Sequence, residues 1–198
     1  MQRIGVDRLK RVIFYALPIV VLAVTIVLDL LTKSYFKDLY FKQGTTVFIK
    51  GLISITYVQN TGAAWSFLSG VSWAQTFFKI LTMVALCLFT AMYLYAMKKG
   101  YKWLMYSIVF IVGGTIGNFV DRVAFGYVRD FILLTFMDFP VFNIADSFLC
   151  VGVVMFVIHY LFLDSDALFK KSSDNKDNND KLNSKEQGEE AENAGQDL

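Results

Sequence analysis

The sequence predicts an α-helical membrane protein with four transmembrane helices and a small extracytoplasmic β-sheet in the first outer loop. Of the 198 residues, 56% are hydrophobic, and the mean hydropathy of +0.49 is too high for an ordinary soluble domain. Four stretches of 17 or 18 residues contain no Asp, Glu, Lys or Arg: Val12–Leu28, Ile80–Met97, Trp103–Val120 and Ser147–Leu163. Because a membrane helix needs about 20 apolar residues, each stretch predicts one span with slightly extended ends.

The N-terminal segment predicts a first helix that is not cleaved. Four basic residues precede the first apolar run, as in a signal peptide, but DLLTK follows it where a small-residue cleavage site would lie. Because Lys and Arg concentrate on the cytoplasmic side, these charges predict that both termini are cytoplasmic. The other predicted inner basic residues are Lys98, Lys99, Lys102, Lys170 and Lys171. Nine basic residues thus lie inside, against six outside: Lys33, Lys37, Lys42, Lys50, Arg122 and Arg129.

The first outer loop, about residues 34–72, predicts the small sheet. Val47–Val58 is rich in β-branched residues, and its second half alternates apolar with polar positions. Trp65, Phe67 and Trp73 follow, and such aromatic residues favour the membrane–water interface. We expect the sheet to lie on the bilayer surface.

The chain ends in a segment of different composition. Residues 172–198 carry eight acids, three lysines and no aromatic residue, which predicts a disordered acidic tail. This tail has a charge of −5, so the membrane domain, residues 1–171, carries +7. No basic stripe interleaved with aromatic residues occurs, so we expect no nucleic-acid partner.

Polar residues at the ends of the predicted helices converge on the outer face. Asn118, Asp121 and Arg122 share one face of the third helix, because they lie at i, i+3 and i+4. Asp29 is placed at the end of the first helix, and Asp146 at the start of the fourth. Ionisable residues at membrane depth are costly and indicate a functional site. In the third helix, Gly113 and Gly117 form a small-residue packing face.

Catalysis by histidine or by a metal is not predicted. His159 is the only histidine and lies near the inner end of the fourth helix, so no Ser-His or Cys-His site can form at the outer face. Cys87 and Cys150 lie within apolar runs, and HExxH is absent. We therefore expect no metal and no cofactor.

Carboxylates remain as the candidate chemistry. Asp130 lies in the predicted loop between the third and fourth helices, and Asp146 lies beside Asn143. Two carboxylates brought together at an apolar boundary share a proton, which supplies a general acid and a general base. The alternative for either one is a structural ion pair with Arg122 or Arg129. Likewise, Asp29 and Lys33 form either a capping ion pair or part of the site.

Four segments resemble the motifs of one known family: NTGAAWS (60–66), GNFVDR (117–122), GYVRDF (126–131) and FNIADS (142–147). Together with Asp29 and Lys33, they are similar to those of lipoprotein signal peptidase, or signal peptidase II. The resemblance covers essentially residues 12–163. It implies an aspartic endopeptidase of the bacterial cytoplasmic membrane, which removes the signal peptide of diacylglyceryl-modified prolipoproteins by cleaving before the lipidated cysteine.

The resemblance also implies roles for individual residues. The catalytic pair would be Asp130 and Asp146, one activating water and the other donating a proton. Substrate binding or orientation would fall to Asn60, Asn118, Arg122 and Asn143. Asp29, Lys33 and Asp121 would support the site, with Asp121 and Arg122 bracing the end of the third helix. A cyclic peptide inhibitor of the globomycin type should fit, and membrane lipid is the other expected partner.

Two other functions are compatible with buried carboxylates. One is a proton-coupled membrane transporter, since such groups also serve as proton relays. The acids cluster at one face, however, and no inverted repeat is present. The other is a membrane subunit that binds lipid.

Overall fold

The computed structural model describes residues 2–62, 67–68 and 70–163, with side chains from Val12 to Phe162. Trp65 and the acidic tail lie outside these residues, as does the predicted domain boundary after residue 171. The chain divides into two compact units, Met1–Phe156 and Val157–Leu198. In the second unit, the described residues are the end of the fourth helix and a π-helix, His159–Leu163.

The prediction of four membrane helices is confirmed for the described part of the chain. The helices are α1 (Gln2–Gln43), α2 (Ala74–Lys99), α3 (Lys102–Ala124) and α4 (Ile144–Ile158). Each lies in a helical segment that is long and apolar enough to cross a membrane. In α3, 56% of the most apolar window is buried, against 17% or less in the other three spans, so α3 is the central helix.

Helix α1 is longer than the sequence predicted. It continues to Gln43, so Asp29 lies inside the helix, and the loop predicted to begin near residue 34 begins ten residues later. The extension packs on the sheet: the ring of Phe36 stacks on Phe131 at 4.7 Å, and Tyr40 and Phe41 both contact Tyr57. These contacts stabilise the helix beyond its apolar run. The sequence did not predict this part of the helix, because charged residues interrupt the apolar pattern there.

Glycines allow α1 and α4 to approach α3 closely, which confirms the predicted packing face. A Cβ atom at Gly113 would collide with Thr25 of α1, and one at Gly117 would collide with the carboxylate of Asp29. At Gly114, a Cβ atom would meet the backbone of Ala145 in α4. The carboxylate of Asp29 therefore reaches the α3–α4 contact only because position 117 has no side chain.

The sheet has three antiparallel strands in the order β1 (Thr46–Ile49), β2 (Ile53–Asn60) and β3 (Val128–Leu134). The first two agree with the predicted strand region. The third corrects the prediction that Asp130 lies in a loop. In β3 the first four residues are all buried, so the strand lacks the alternation that marks a half-exposed strand. Pairing with β2 places Val58 opposite Asp130, and Asn60 opposite Val128.

Candidate active site

Nine polar residues predicted from the sequence lie together; hydrogen bonds and ion pairs join eight of them in one network, and the ninth, Arg122, is hydrogen-bonded to Gly62 beside it. Five elements and the residue before α4 contribute them: α1 (Asp29, Lys33), β2 (Asn60), α3 (Asn118, Asp121, Arg122), β3 (Asp130), α4 (Asp146) and, directly before α4, Asn143. Asp29, Lys33, Asp121 and Asn143 have no exposed surface, and Asp130 is only 2% exposed. A set of ionisable groups this deeply buried must be satisfied by its own members.

Both oxygens of Asp130 accept hydrogen bonds from amide side chains. Asn60 Nδ2 donates to Oδ2 at 3.0 Å, and Asn143 Nδ2 donates to Oδ1 at 2.6 Å. The first bond follows from the sheet, because Asn60 lies diagonally across from Asp130 in the β2–β3 register. The strand β3 thus delivers Asp130 to a position between β2 and the start of α4.

Asp146 is held by the N-terminal cap of α4. The backbone N–H of Asn143 donates to Asp146 Oδ2 at 3.0 Å, while the backbone N–H of Asp146 donates to Asn143 Oδ1 at 3.0 Å. This reciprocal pair is a capping box. Asn118 Nδ2 donates to the other oxygen of Asp146 at 2.8 Å. One residue, Asn143, therefore contacts both candidate catalytic carboxylates.

The orientations of the three amides are fixed by the donors that face their oxygens. Those donors are the backbone N–H of Gly62 for Asn60 (2.9 Å), the backbone N–H of Asp146 for Asn143 (3.0 Å) and the Lys33 ammonium for Asn118 (3.0 Å). Since only the amide oxygen can accept these bonds, each NH2 group must point to a carboxylate. All four carboxylate oxygens of Asp130 and Asp146 are therefore acceptors.

Lys33 is the buried cation at the centre of the network. Its Nζ lies 2.7 Å from Asp29 Oδ2 and 3.5 Å from Asp121 Oδ2. The other oxygen of Asp29 accepts the backbone N–H of Ala145 in the first turn of α4 at 2.9 Å. Asp29 thus forms the predicted pair with Lys33 and also binds the N-terminus of α4, where a negative charge is favourable.

Asp121 pairs with Arg129, which the sequence had suggested only as an alternative ion-pair partner for Asp130 or Asp146. Arg129 Nη2 lies 2.7 Å from Asp121 Oδ1, and the backbone N–H of Arg129 donates to Oδ2 at 3.0 Å. The guanidinium also covers the ring of Phe125 at 4.7 Å. Among the described residues, neither Asp130 nor Asp146 forms an ion pair. The only sequence signal for Arg129 was its position directly before Asp130.

Arg122 contacts the segment that follows β2, whereas Asp121 contacts β3, so the two residues connect the end of α3 to different elements. Nη2 of Arg122 donates to the carbonyl oxygen of Gly62 at 3.2 Å, and its guanidinium lies over the Phe78 ring at 5.1 Å. Gln75 Nε2 donates to the adjacent carbonyl of Thr61. The segment that follows Asn60 is therefore fastened to α2 and α3, while Nε of Arg122 is buried without a hydrogen-bond partner.

A cavity of about 770 Å³ opens onto the two carboxylates. Its polar wall includes Asn60, Asn118, Arg122, Asp130 and Asp146. The remaining lining is mostly apolar and comes from β3, the segment before α4 and α4 itself: Val128, Leu134, Phe139, Pro140, Val141, Phe142, Leu149, Cys150 and Val151. A mostly apolar cavity with a few convergent polar groups is typical of a ligand site.

The pKa of Asp130 is raised from 3.8 to about 7. The largest cause is burial, and the second is the neighbouring charge of Asp146. The hydrogen bonds from Asn60 and Asn143 oppose this shift, as does the charge of Lys33. A carboxyl group with a pKa near neutrality can exchange a proton under physiological conditions.

No group of three or more His, Cys, Asp and Glu side chains is placed to hold a metal ion within the described residues. His159 lies in the second unit, and Cys87 and Cys150 are free. Thr82 and Thr115, which line the cavity, were not predicted as site residues. They lie within apolar helices, where nothing in the sequence separates them from packing residues.

The chain is similar to curated proteins named lipoprotein signal peptidase. The protein of Enterococcus faecalis is 44% identical over 126 residues, covering 62% of this chain and 73% of its own length. The protein of Lactococcus lactis subsp. cremoris is 38% identical over 145 residues, covering 73% of this chain and 93% of its own. That of Lactiplantibacillus plantarum is 37% identical over 148 residues, covering 74% and 95%.

Solved structures agree with the fold. A bacterial membrane enzyme determined by the in meso method at 2.3 Å resolution matches with a TM-score of 0.63 and 32% identity, covering 78% of this chain and 92% of its own. Nothing among the described residues favours a transporter or a lipid-binding subunit. The family model for signal peptidase (SPase) II matches residues 21–162. The chain is a multi-pass membrane peptidase that belongs to the signal peptidase II family.

Proposed function

We propose that this chain is an aspartic endopeptidase that removes the signal peptide from diacylglyceryl-modified prolipoproteins, with Asp130 and Asp146 as its catalytic pair. Cleavage of prolipoprotein signal peptides follows from the family to which the chain belongs. The aspartic mechanism rests on one observation: two carboxylates line the same cavity, and a single residue, Asn143, donates hydrogen bonds to both.

The charges of the network support a single proton shared by the pair. Four carboxylates occupy the site (Asp29, Asp121, Asp130 and Asp146), and three cations balance them (Lys33, Arg122 and Arg129). Asp29 and Asp121 have their own cations, which leaves Asp130 and Asp146 with the distant charge of Arg122. One proton on the pair would make the site neutral, which is the favourable state for a buried cluster.

The pair can perform hydrolysis without a covalent intermediate. One carboxylate takes a proton from water as the water oxygen attacks the scissile carbonyl, and the other gives its proton to the carbonyl oxygen. In the second step, the carboxyl group formed first protonates the leaving nitrogen, while the other carboxylate recovers its proton from the tetrahedral intermediate. The C–N bond breaks, and the pair returns to its original state.

The remaining polar residues would orient the catalytic pair, hold the substrate or support the site. Asn60, Asn118 and Asn143 fix the carboxylates, and the unpaired Nε of Arg122 is a donor for a peptide carbonyl. Asp29, Lys33 and Asp121 would support this arrangement through the buried ion pairs. The apolar wall of the cavity suits a lipid-modified segment, and a cyclic peptide of the globomycin type should compete for the same space.

The topology follows from the basic residues of the sequence. Both termini would be cytoplasmic, and the site would face the outer side of the cytoplasmic membrane. Along one stripe of α1, Leu31 and Tyr35 are exposed, and the next positions on that stripe are Asp38 and Lys42. The helix would therefore leave the apolar layer just beyond Tyr35, which places Asp29 and Lys33 within about one to two turns of the boundary.

The test uses the purified protein in detergent and two forms of one prolipoprotein peptide, with and without the diacylglyceryl group on its cysteine. We expect mass spectrometry to find cleavage before the cysteine in the modified peptide alone. Equal cleavage of the unmodified peptide would contradict the proposed substrate. Cleavage at another bond would contradict the proposed specificity. A peptide with serine in place of the cysteine is the matched control.

A further inference from the structure

Lys33 makes more contacts than an ion pair with Asp29 alone would require. The side chain is fully buried, and its third contact is Asn118 Oδ1 at 3.0 Å. Buried ion pairs alone add little stability, because desolvation offsets the attraction between the charges. The contact with Asn118 therefore indicates a role for this cation beyond the α1 pair.

Asn118 connects Lys33 to one carboxylate of the pair. Its oxygen accepts the bond from Lys33, and its Nδ2 donates to Asp146 Oδ1 at 2.8 Å. A cation at the oxygen polarises the amide and strengthens the bond that its N–H groups donate. The positive charge of Lys33 is thereby transmitted to Asp146 across a single side chain.

Asp130 is related to Lys33 differently: the Lys33 charge lowers its pKa, but no amide that donates to Asp130 accepts a hydrogen bond from this cation. The two amide donors of Asp130 are Asn60 and Asn143, and their oxygens accept backbone N–H groups and face no cation within the described part of the chain. The two carboxylates therefore differ in how they are linked to Lys33. Asp146 accepts a bond from Asn118, the amide that binds the cation, whereas the Asn143 amide that donates to Asp130 also donates to the Asn118 oxygen.

We propose that Lys33 is a positioning residue that acts through Asn118 to hold Asp146 as the carboxylate that accepts the proton of the attacking water. This inference rests on the proposed function and assigns the two roles within it. Asp130 is then the group that gives its proton to the carbonyl oxygen. A pKa of Asp130 near 7 agrees with that role. The other charged groups around the pair are Asp29 on α1, Asp121 and Arg122 on α3, and Arg129 on β3.

A double-mutant cycle tests the route through Asn118. Lys33→Met should lower kcat by about 10- to 100-fold, a loss typical of misplaced catalytic groups, while KM changes little. In an Asn118→Ala background, the same substitution should have almost no further effect, because the connection is already broken. Additive losses would overturn the proposal.

The pH profile separates this role from a structural one. Without the cation, a negative charge on the catalytic pair is less favourable, so the acidic limb of kcat/KM should move to higher pH by about one unit. If Lys33 only maintained the fold, its substitution would lower the melting temperature and the maximal kcat/KM, and the acidic limb would stay at the same pH. An unmoved limb therefore contradicts the proposal. Lys50→Met, at an exposed lysine of the β1–β2 turn, is the matched control.

The cycle is also run in an Asp29→Asn background, because Lys33→Met alone leaves a buried carboxylate without its cation. Asparagine keeps an oxygen for the Ala145 N–H, so the background preserves the start of α4. Asp146→Asn serves as the reference. If Asp146→Asn is inactive and the cycle is additive, only the inference about Lys33 fails. If Asp146→Asn stays active, the proposed function itself fails.

Discussion

Arg129 and Asp121 form a buried, multiply hydrogen-bonded ion pair that joins the start of the strand β3 to the last turn of α3. The shortest contact is 2.7 Å, between Nη2 and Oδ1, and the backbone N–H of Arg129 adds a bond to the second oxygen. Because Asp130 is the next residue in the strand, this pair fixes where the strand presents its carboxylate.

Asp121→Asn should therefore destabilise the protein strongly. Removing one partner leaves a buried guanidinium without its counter-charge, a change that typically costs about 3–5 kcal/mol. We expect a large fall in the melting temperature in detergent, with a partial loss of activity. Asp38→Asn, at an exposed acid on α1, is the control and should change neither value. An unchanged melting temperature for Asp121→Asn would refute a structural role for the pair.

Stability should depend on the protonation of Asp130. Its pKa is raised from 3.8 to about 7, so the folded state binds this proton more tightly than the unfolded chain. The stabilisation is complete below the unfolded value and is lost as the pH rises towards about 7. Asp130→Asn cannot ionise, so its melting temperature relative to the wild type should increase from about pH 4 to about pH 8. A difference independent of pH would contradict the burial argument.

The sequence was sufficient for the spans because uncharged runs of 17 or 18 residues have few alternatives to a membrane helix. It was insufficient for the end of α1, where Lys37, Asp38 and Lys42 interrupt the apolar pattern. The helix persists there because Phe36 stacks on Phe131 of β3, a contact between residues 95 positions apart. Only the tertiary structure contains that information.

The strand β3 shows why the site was predicted only in part. Its first four residues are buried on both faces, including Arg129 and Asp130, so the segment lacks the alternating pattern of a strand. The chemistry of Asp130 could be inferred from its residue type and motif. The Arg129–Asp121 pair could not, because it forms only when β3 folds back against the end of α3.

Cysteine labelling tests the topology. The two native cysteines, Cys87 and Cys150, are exposed and would first be replaced by alanine. With a membrane-impermeant reagent on intact cells, Thr135→Cys, next to β3, should be labelled and Ser172→Cys should be protected until the cells are lysed. Labelling of Ser172→Cys from outside would reverse the proposed orientation.

The acidic tail should be dispensable for catalysis, because its composition cannot form a packed core. We expect truncation after Lys171 to leave the cleavage rate in detergent within a few-fold of that of the full chain. A truncated protein that keeps its melting temperature but loses activity would show that the tail takes part in the reaction.

The most direct test of the central claim is the cleavage rate of Asp130→Asn and Asp146→Asn on a diacylglyceryl-modified peptide. An amide keeps the shape of a carboxylate but cannot take up or release the proton. Each variant should lose about 10²–10⁴-fold in kcat while remaining folded. The double variant should be scarcely worse than either single one, since residues that act as a unit are not additive. If either variant kept a sizeable fraction of wild-type turnover, Asp130 and Asp146 would not be the catalytic pair.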